Sequence, residues 1–174
     1  MQSLWKILPM RLKVIIPLAI FALLGSCNSQ GKRIDDLIDR LDTADFSKLK
    51  TLTIYLRSRG AAGDSSVYFV YKSNKDCPPY AVDVDDNKNI IRIRKDLVFL
   101  ACAHDYLTHE EIEMVIKRYM EFKVNLLEVD SSGNVYINPS RSERPALLRR
   151  SPGSTPKDIV KFRHYKGNWY VREE

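Results

Sequence analysis

The chain has 174 residues, of which 44% are hydrophobic and 29% charged, and its formal net charge is +6. That length suits one domain able to bury a real core. The positive balance is mild and gives no reason to expect a nucleic-acid partner.

The N-terminus begins with a basic stretch, Lys6, Arg11 and Lys13, followed by an apolar run from Val14 to Leu24. A polar run, Asn28 to Lys32, comes next. This is the layout of a secretory signal. An uncleaved membrane span needs about 20 apolar residues; here the run is shorter and contains Pro17. The segment Leu23-Leu24-Gly25-Ser26-Cys27 resembles the lipobox of bacterial lipoproteins. The resemblance implies cleavage before Cys27, lipidation of that cysteine with palmitate-like chains, and a membrane-anchored protein of the bacterial cell envelope. Asn28 rather than Asp follows the cysteine, and no acidic cluster follows. That pattern resembles lipoproteins sent to the outer membrane and facing the periplasm. The expected organisation is a signal peptide at 1–26, a tether at 27–33 and a single domain at 34–174. Loss of residues 1–26 removes three bases and no acid, which leaves 148 residues with a net charge of +3.

Along the mature chain, Ile34, Leu37, Ile38 and Leu41 have helical spacing. Thr51 to Arg57 alternates apolar and polar residues, and Val67 to Lys72 is β-branched and aromatic, so two strands are expected around a turn at Gly60 to Ser66. After Pro78-Pro79, Tyr80–Val84 and Asn89–Arg94 can pair across Asp85-Asp86-Asn87-Lys88. The carboxylates at 83–86 have a calcium-like spacing, but an EF-hand needs glycine at Lys88 and glutamate at Arg94, and a hairpin turn fits better. Asp96 can cap a short helix through Leu97 to Ala103, with a buried strand as the alternative. Thr108 and Glu111 form a capping box, and Leu107 and Ile112 a hydrophobic staple. Ile112, Val115, Ile116, Tyr119 and Met120 then make one apolar face of a helix to about Lys123. A hairpin follows over Val124–Val129 and Asn134–Ile137, turning at Asp130 to Gly133. Arg141 to Lys157 is proline-rich and expected to be a long loop. A last hairpin runs over Ile159–Tyr165 and Asn168–Arg172.

This order predicts an α+β fold: an antiparallel sheet of hairpins packed against one main central helix (about 108–123), with a short N-terminal helix. A helix followed by a meander ending in Gly167-Asn168-Trp169-Tyr170-Val171 resembles the cystatin-like and nuclear-transport-factor-like small secreted domains. That resemblance implies a pocket between sheet and helix.

The chemistry-bearing residues are few. Cys77 and Cys102 can form a disulfide in an exported protein, or Cys102 can be a buried apolar residue. No CxxC spacing marks them as metal ligands. His104 and His109, beside Asp105, Glu110 and Glu111, are candidate metal ligands, although H-x4-H is not a zinc spacing and acids in a first helical turn favour its dipole anyway. No nucleophile elbow, P-loop or dinucleotide fingerprint occurs in the sequence. Arg141, Arg144, Arg149 and Arg150 are candidates for binding an anionic partner, since guanidinium forks match phosphate and carboxylate. The competing reading is a solvated loop. No cofactor is expected, and an enzyme is not the favoured reading. The leading expectation is a lipid-anchored, non-catalytic binding or accessory module contacting an envelope protein, lipid phosphate or the cell wall. The alternatives are a small-ligand carrier and a small metal-dependent hydrolase using His104 and His109.

Overall fold

A computed structural model describes residues 31–60, 64–102, 104–156 and 158–173. The chain divides into two compact units, one running to Ala44 and one from Asp45 to Glu174. In the first, helix α1 spans 31–41, so it already includes part of the stretch read as tether. Leu37, Ile38 and Leu41 are buried.

The second unit is built on one sheet of nine strands, all antiparallel. In chain order they are β1 (Leu52–Arg59), β2 (Ser65–Lys72), β3 (Tyr80–Asp85), β4 (Ile90–Arg94), β5 (Leu126–Val129), β6 (Val135–Asn138), β7 (Leu147–Arg149), β8 (Phe162–Lys166) and β9 (Trp169–Arg172). Their order across the sheet is β4-β3-β2-β1-β5-β6-β7-β9-β8. The sheet therefore runs outward from a central β1–β5 pair, as a meander to β4 on one side and, on the other, through β6 and β7 to β9, with β8 at the edge. Helices α2 (Asp96–Ala101) and α3 (His109–Phe122) fill the connection between β4 and β5.

This corrects the expected architecture. The protein is mostly β, a nine-stranded antiparallel sheet with three helices among the described residues, and not an α+β sheet packed against one main central helix. The physical reason lies in register. Each hairpin is short, but Leu52 pairs with both Lys72 and Val129, so β1 joins what read as separate hairpins into one continuous ladder. Leu147–Arg149 adds a seventh strand inside the segment read as a loop, bridging Ile137 of β6 to Val171 of β9.

One sheet face carries the core. Ile54, Val70, Tyr80, Val82, Leu127, Ile137, Leu147 and Trp169 are nearly or fully buried. The period of two along each strand places them on one side once the register aligns them. Helix α3 covers only part of the sheet: Tyr119 meets Tyr68 of β2 edge-on at 5.5 Å, and Phe122 meets Phe46 at 4.8 Å. Its start is set locally. Thr108 Oγ1 accepts from the Glu111 amide at 3.1 Å, and Glu111 Oε2 accepts from the Thr108 amide at 2.7 Å. It ends at Lys123, which is left-handed (φ 53°), with Tyr119 donating to the Val124 carbonyl at 2.6 Å.

Two hairpins share one closing device. In the β3–β4 turn, Asp85 accepts from the Asn89 amide and side chain at 2.7 and 3.0 Å. In the β5–β6 turn, Asp130 does the same with Asn134 at 2.9 and 2.7 Å. The bond from the Asn89 backbone holds the Asp85 carboxyl below its usual pKa. Of the acids read as calcium-like, Asp85 is thus engaged in the turn and Asp83 is paired to Arg92 and Arg94 at 3.1 and 2.9 Å.

Candidate functional site

Cys27, the lipidation candidate, lies outside the described residues. Cys77 and Cys102 are joined as a disulfide, with Cα atoms 6.0 Å apart. The bridge ties the loop after β2 to the end of α2. Around it, Lys95 and the stretch 105–107 are clamped by polar contacts. Lys95 donates to Asp105 at 2.6 Å, and Tyr80 donates to the same carboxylate at 3.2 Å. The Tyr80 hydroxyl also accepts from the amides of Tyr106 (2.9 Å) and Leu107 (3.2 Å), while the Tyr106 hydroxyl donates to the Pro78 carbonyl at 2.7 Å. Burial raises the pKa of both phenols, so they serve as neutral donors.

The histidines do not meet. His109 sits on the first turn of α3, with Nε2 at 3.4 Å from Glu113, and His104 is exposed in the preceding loop. Among the described residues no three His, Cys, Asp or Glu side chains converge to hold a metal ion.

The four arginines are split by β7. Arg141 and Arg144 stand before it, in a loop organised by Asn138, a residue that is 5% exposed. Asn138 Nδ2 donates to the Arg144 carbonyl at 2.6 Å, and its Oδ1 accepts from the Arg141 amide at 2.8 Å. Both arginines are exposed. Arg149 and Arg150 stand at the other end. The Arg149 guanidinium lies 5.5 Å over the Phe46 ring, and Arg150 Nε donates to the Ser154 carbonyl at 2.7 Å. That end is knitted together by buried Asn134, whose Oδ1 accepts from the Ser151 amide (2.8 Å) and the Ser154 hydroxyl (2.6 Å). Two of the four cations thus take part in intramolecular packing, and the exposed pair is Arg141 and Arg144.

A surface depression of about 500 Å³ lies against the outer side of α3, lined by Asp45, Lys48, Glu113, Met114, Lys117 and Arg118 among others. Its walls are charged with both signs. The inner side of α3, Ile112, Val115, Ile116 and Tyr119, is closed against the core. On the sheet, Glu128 pairs opposite Thr53 and Tyr136. Burial first, then Asp130 and Asp158, raises its carboxyl pKa, and burial with the same acids and Glu128 pushes the Tyr136 phenol up to about 12.

The residues that the sequence did not single out are on α2. Leu97, Phe99 and Leu100 are exposed, and only Val98 of that helix is buried. The run Leu-Val-Phe-Leu-Ala held the signal: a helix of one and a half turns cannot turn four large apolar side chains inward. Among the described residues no helix is long and apolar enough to cross a membrane.

No protein-family model, curated protein or solved structure gives a significant match to this chain.

Proposed function

We propose that the chain is a lipid-anchored protein of the bacterial envelope whose folded domain is a binding module for an anionic partner, contacted by the loop carrying Arg141 and Arg144. The observation that carries the anchor is the run Leu23-Leu24-Gly25-Ser26-Cys27 behind a basic and apolar leader. The disulfide between Cys77 and Cys102 supports export, because such bonds persist in oxidising compartments. The partner reading rests on the geometry of the 139–144 loop. Asn138 holds its backbone in place, so the loop presents two exposed guanidiniums with little backbone left to order on binding. The outer-membrane, periplasm-facing location follows from Asn28 and remains part of the proposal.

Intact mass of the membrane-extracted protein tests the anchor. Residues 27–174 plus acyl chains are expected for the wild type, and an unacylated product for Cys27→Ser. A wild-type mass without acyl chains sinks the reading. Co-sedimentation with purified cell-wall sacculi and with anionic vesicles tests the partner. Binding that falls with salt and is lost in Arg141→Glu/Arg144→Glu is expected. Binding of the variant equal to wild type removes this loop from the proposal.

A further inference from the structure

Four of the seven large apolar side chains exposed among the described residues fall within the ten residues from Ile91 to Leu100, while Met114, Val160 and Tyr165 stand elsewhere in the chain. Ile91 is 62% exposed, Leu97 54%, Phe99 59% and Leu100 85%. Ile91 is the extra residue of a bulge in edge strand β4, between the pairs Val84–Ile90 and Asp83–Arg92. Helix α2 begins only two residues after β4 ends. A soluble surface seldom keeps such a patch without a use for it.

Helix α2 is tied to the rest of the fold at both ends. Val98 is fully buried and anchors the helix from beneath. The Cys102 amide donates to the Val98 carbonyl at 2.7 Å, and Cys102 is bonded to Cys77. Lys95, at the other end, is held by Asp105. Leu97, Phe99 and Leu100 are therefore presented outward on a fixed platform.

We infer that this platform inserts into the bilayer to which the same chain is anchored. The inference rests on the lipidated Cys27 of the proposed function. Asp45 stands eighteen positions after Cys27. With a helix over 31–41, that connection reaches at most about 40 Å. A lipid surface is thus always within reach of the domain, at a high effective concentration, and even a weak contact is populated. The side chains suit that occupant: leucine and phenylalanine project from a short helix beside Arg92, Arg94 and Lys95. Those cations are already paired with Asp83 and Asp105. Docking is consequently apolar in origin and does not depend on anionic lipid, unlike the arginine-loop contact proposed above.

The test uses Phe99→Trp, since Trp169 is 1% exposed and Trp5 leaves with the signal. The acylated variant, its acyl mass verified, is reconstituted in phosphatidylcholine vesicles and in vesicles containing phosphatidylglycerol. Blue-shifted emission and about twofold quenching by lipids brominated high on the acyl chain are expected in both, because interfacial side chains lie about 5–10 Å into the boundary. Emission that stays water-like with acylation confirmed overturns the docking and leaves the anchor standing. Quenching only with phosphatidylglycerol overturns the apolar mechanism. If no acyl chain is found, the anchor fails, and residues 28–174 carrying Phe99→Trp, exported behind a general secretory signal, are mixed with added vesicles: quenching upholds insertion and its absence overturns it. A dimer of residues 28–174 by light scattering that is abolished by Leu97→Ser/Leu100→Ser, with unchanged far-ultraviolet circular dichroism, overturns the inference and assigns the patch to a second copy.

Discussion

The Tyr80 hydroxyl donates to Asp105 while accepting the amides of Tyr106 and Leu107. One phenol at the start of β3 thereby holds the chain that leads from α2 into α3. Tyr80→Phe keeps the ring and leaves two amides without their acceptor. The expected loss is about 2–4 kcal/mol, as buried donors left unsatisfied cost about 1–3 kcal/mol each. Urea unfolding checks it through the midpoint at unchanged slope. Asp105→Asn, which spares the two amides, should cost less.

The Cys77–Cys102 bridge closes a loop with a sequence separation of 25. Chain entropy assigns such a loop about 3–4 kcal/mol of stability. Denaturant unfolding with and without reductant should differ by that amount, and Cys77→Ser/Cys102→Ser should match the reduced wild type. Coincident curves would mean that the bridge is not formed in solution.

Glu128 gives a stability signature of definite sign. Its folded-state pKa is raised, chiefly by burial. The folded protein then binds the proton more tightly than the unfolded chain. Stability from this group is fully present below the unfolded pKa and is lost as pH rises through the folded pKa. Glu128→Gln removes the charge and should raise the urea midpoint at pH 7, with the gain vanishing at pH 4 and below. An equal gain at both pH values would show that the effect is not ionisation.

The capping box of α3 makes a smaller, local prediction. Thr108→Ala removes the acceptor for the Glu111 amide, and about 1 kcal/mol should be lost. Glu111→Gln should retain most of the stability, since glutamine can still accept from the Thr108 amide. Thermal unfolding of the two variants side by side separates the contributions.

Features that depend on a few neighbouring residues are legible along the chain. Thr108 and Glu111 mark the start of α3 because a capping box spans only four positions. Asp85 with Asn89 and Asp130 with Asn134 mark two turns because side chain and backbone meet within five residues. The lipobox-like run at Cys27 is legible for the same reason, as a linear signal. For the candidate site, the sequence named the four arginines but could not say that Arg149 would lie over Phe46 and Arg150 on Ser154. Arg141 and Arg144 emerge as the exposed pair only once β7 forms.

Features that depend on partners far along the chain emerge only when the sheet assembles. Leu147–Arg149 is too short and too closely flanked by prolines to read as a strand, and it becomes one because Ile137 and Val171 offer ladders on both sides. The mostly β architecture arises likewise, when β1 pairs with β5 more than sixty residues away. Leu97, Phe99 and Leu100 look like core residues in the sequence. They stay outside because Val98 takes the single inward position and the bond from Cys77 to Cys102 holds the helix in that orientation. Local propensity sets which elements form, whereas long-range pairing and burial set which of their faces remain for a partner.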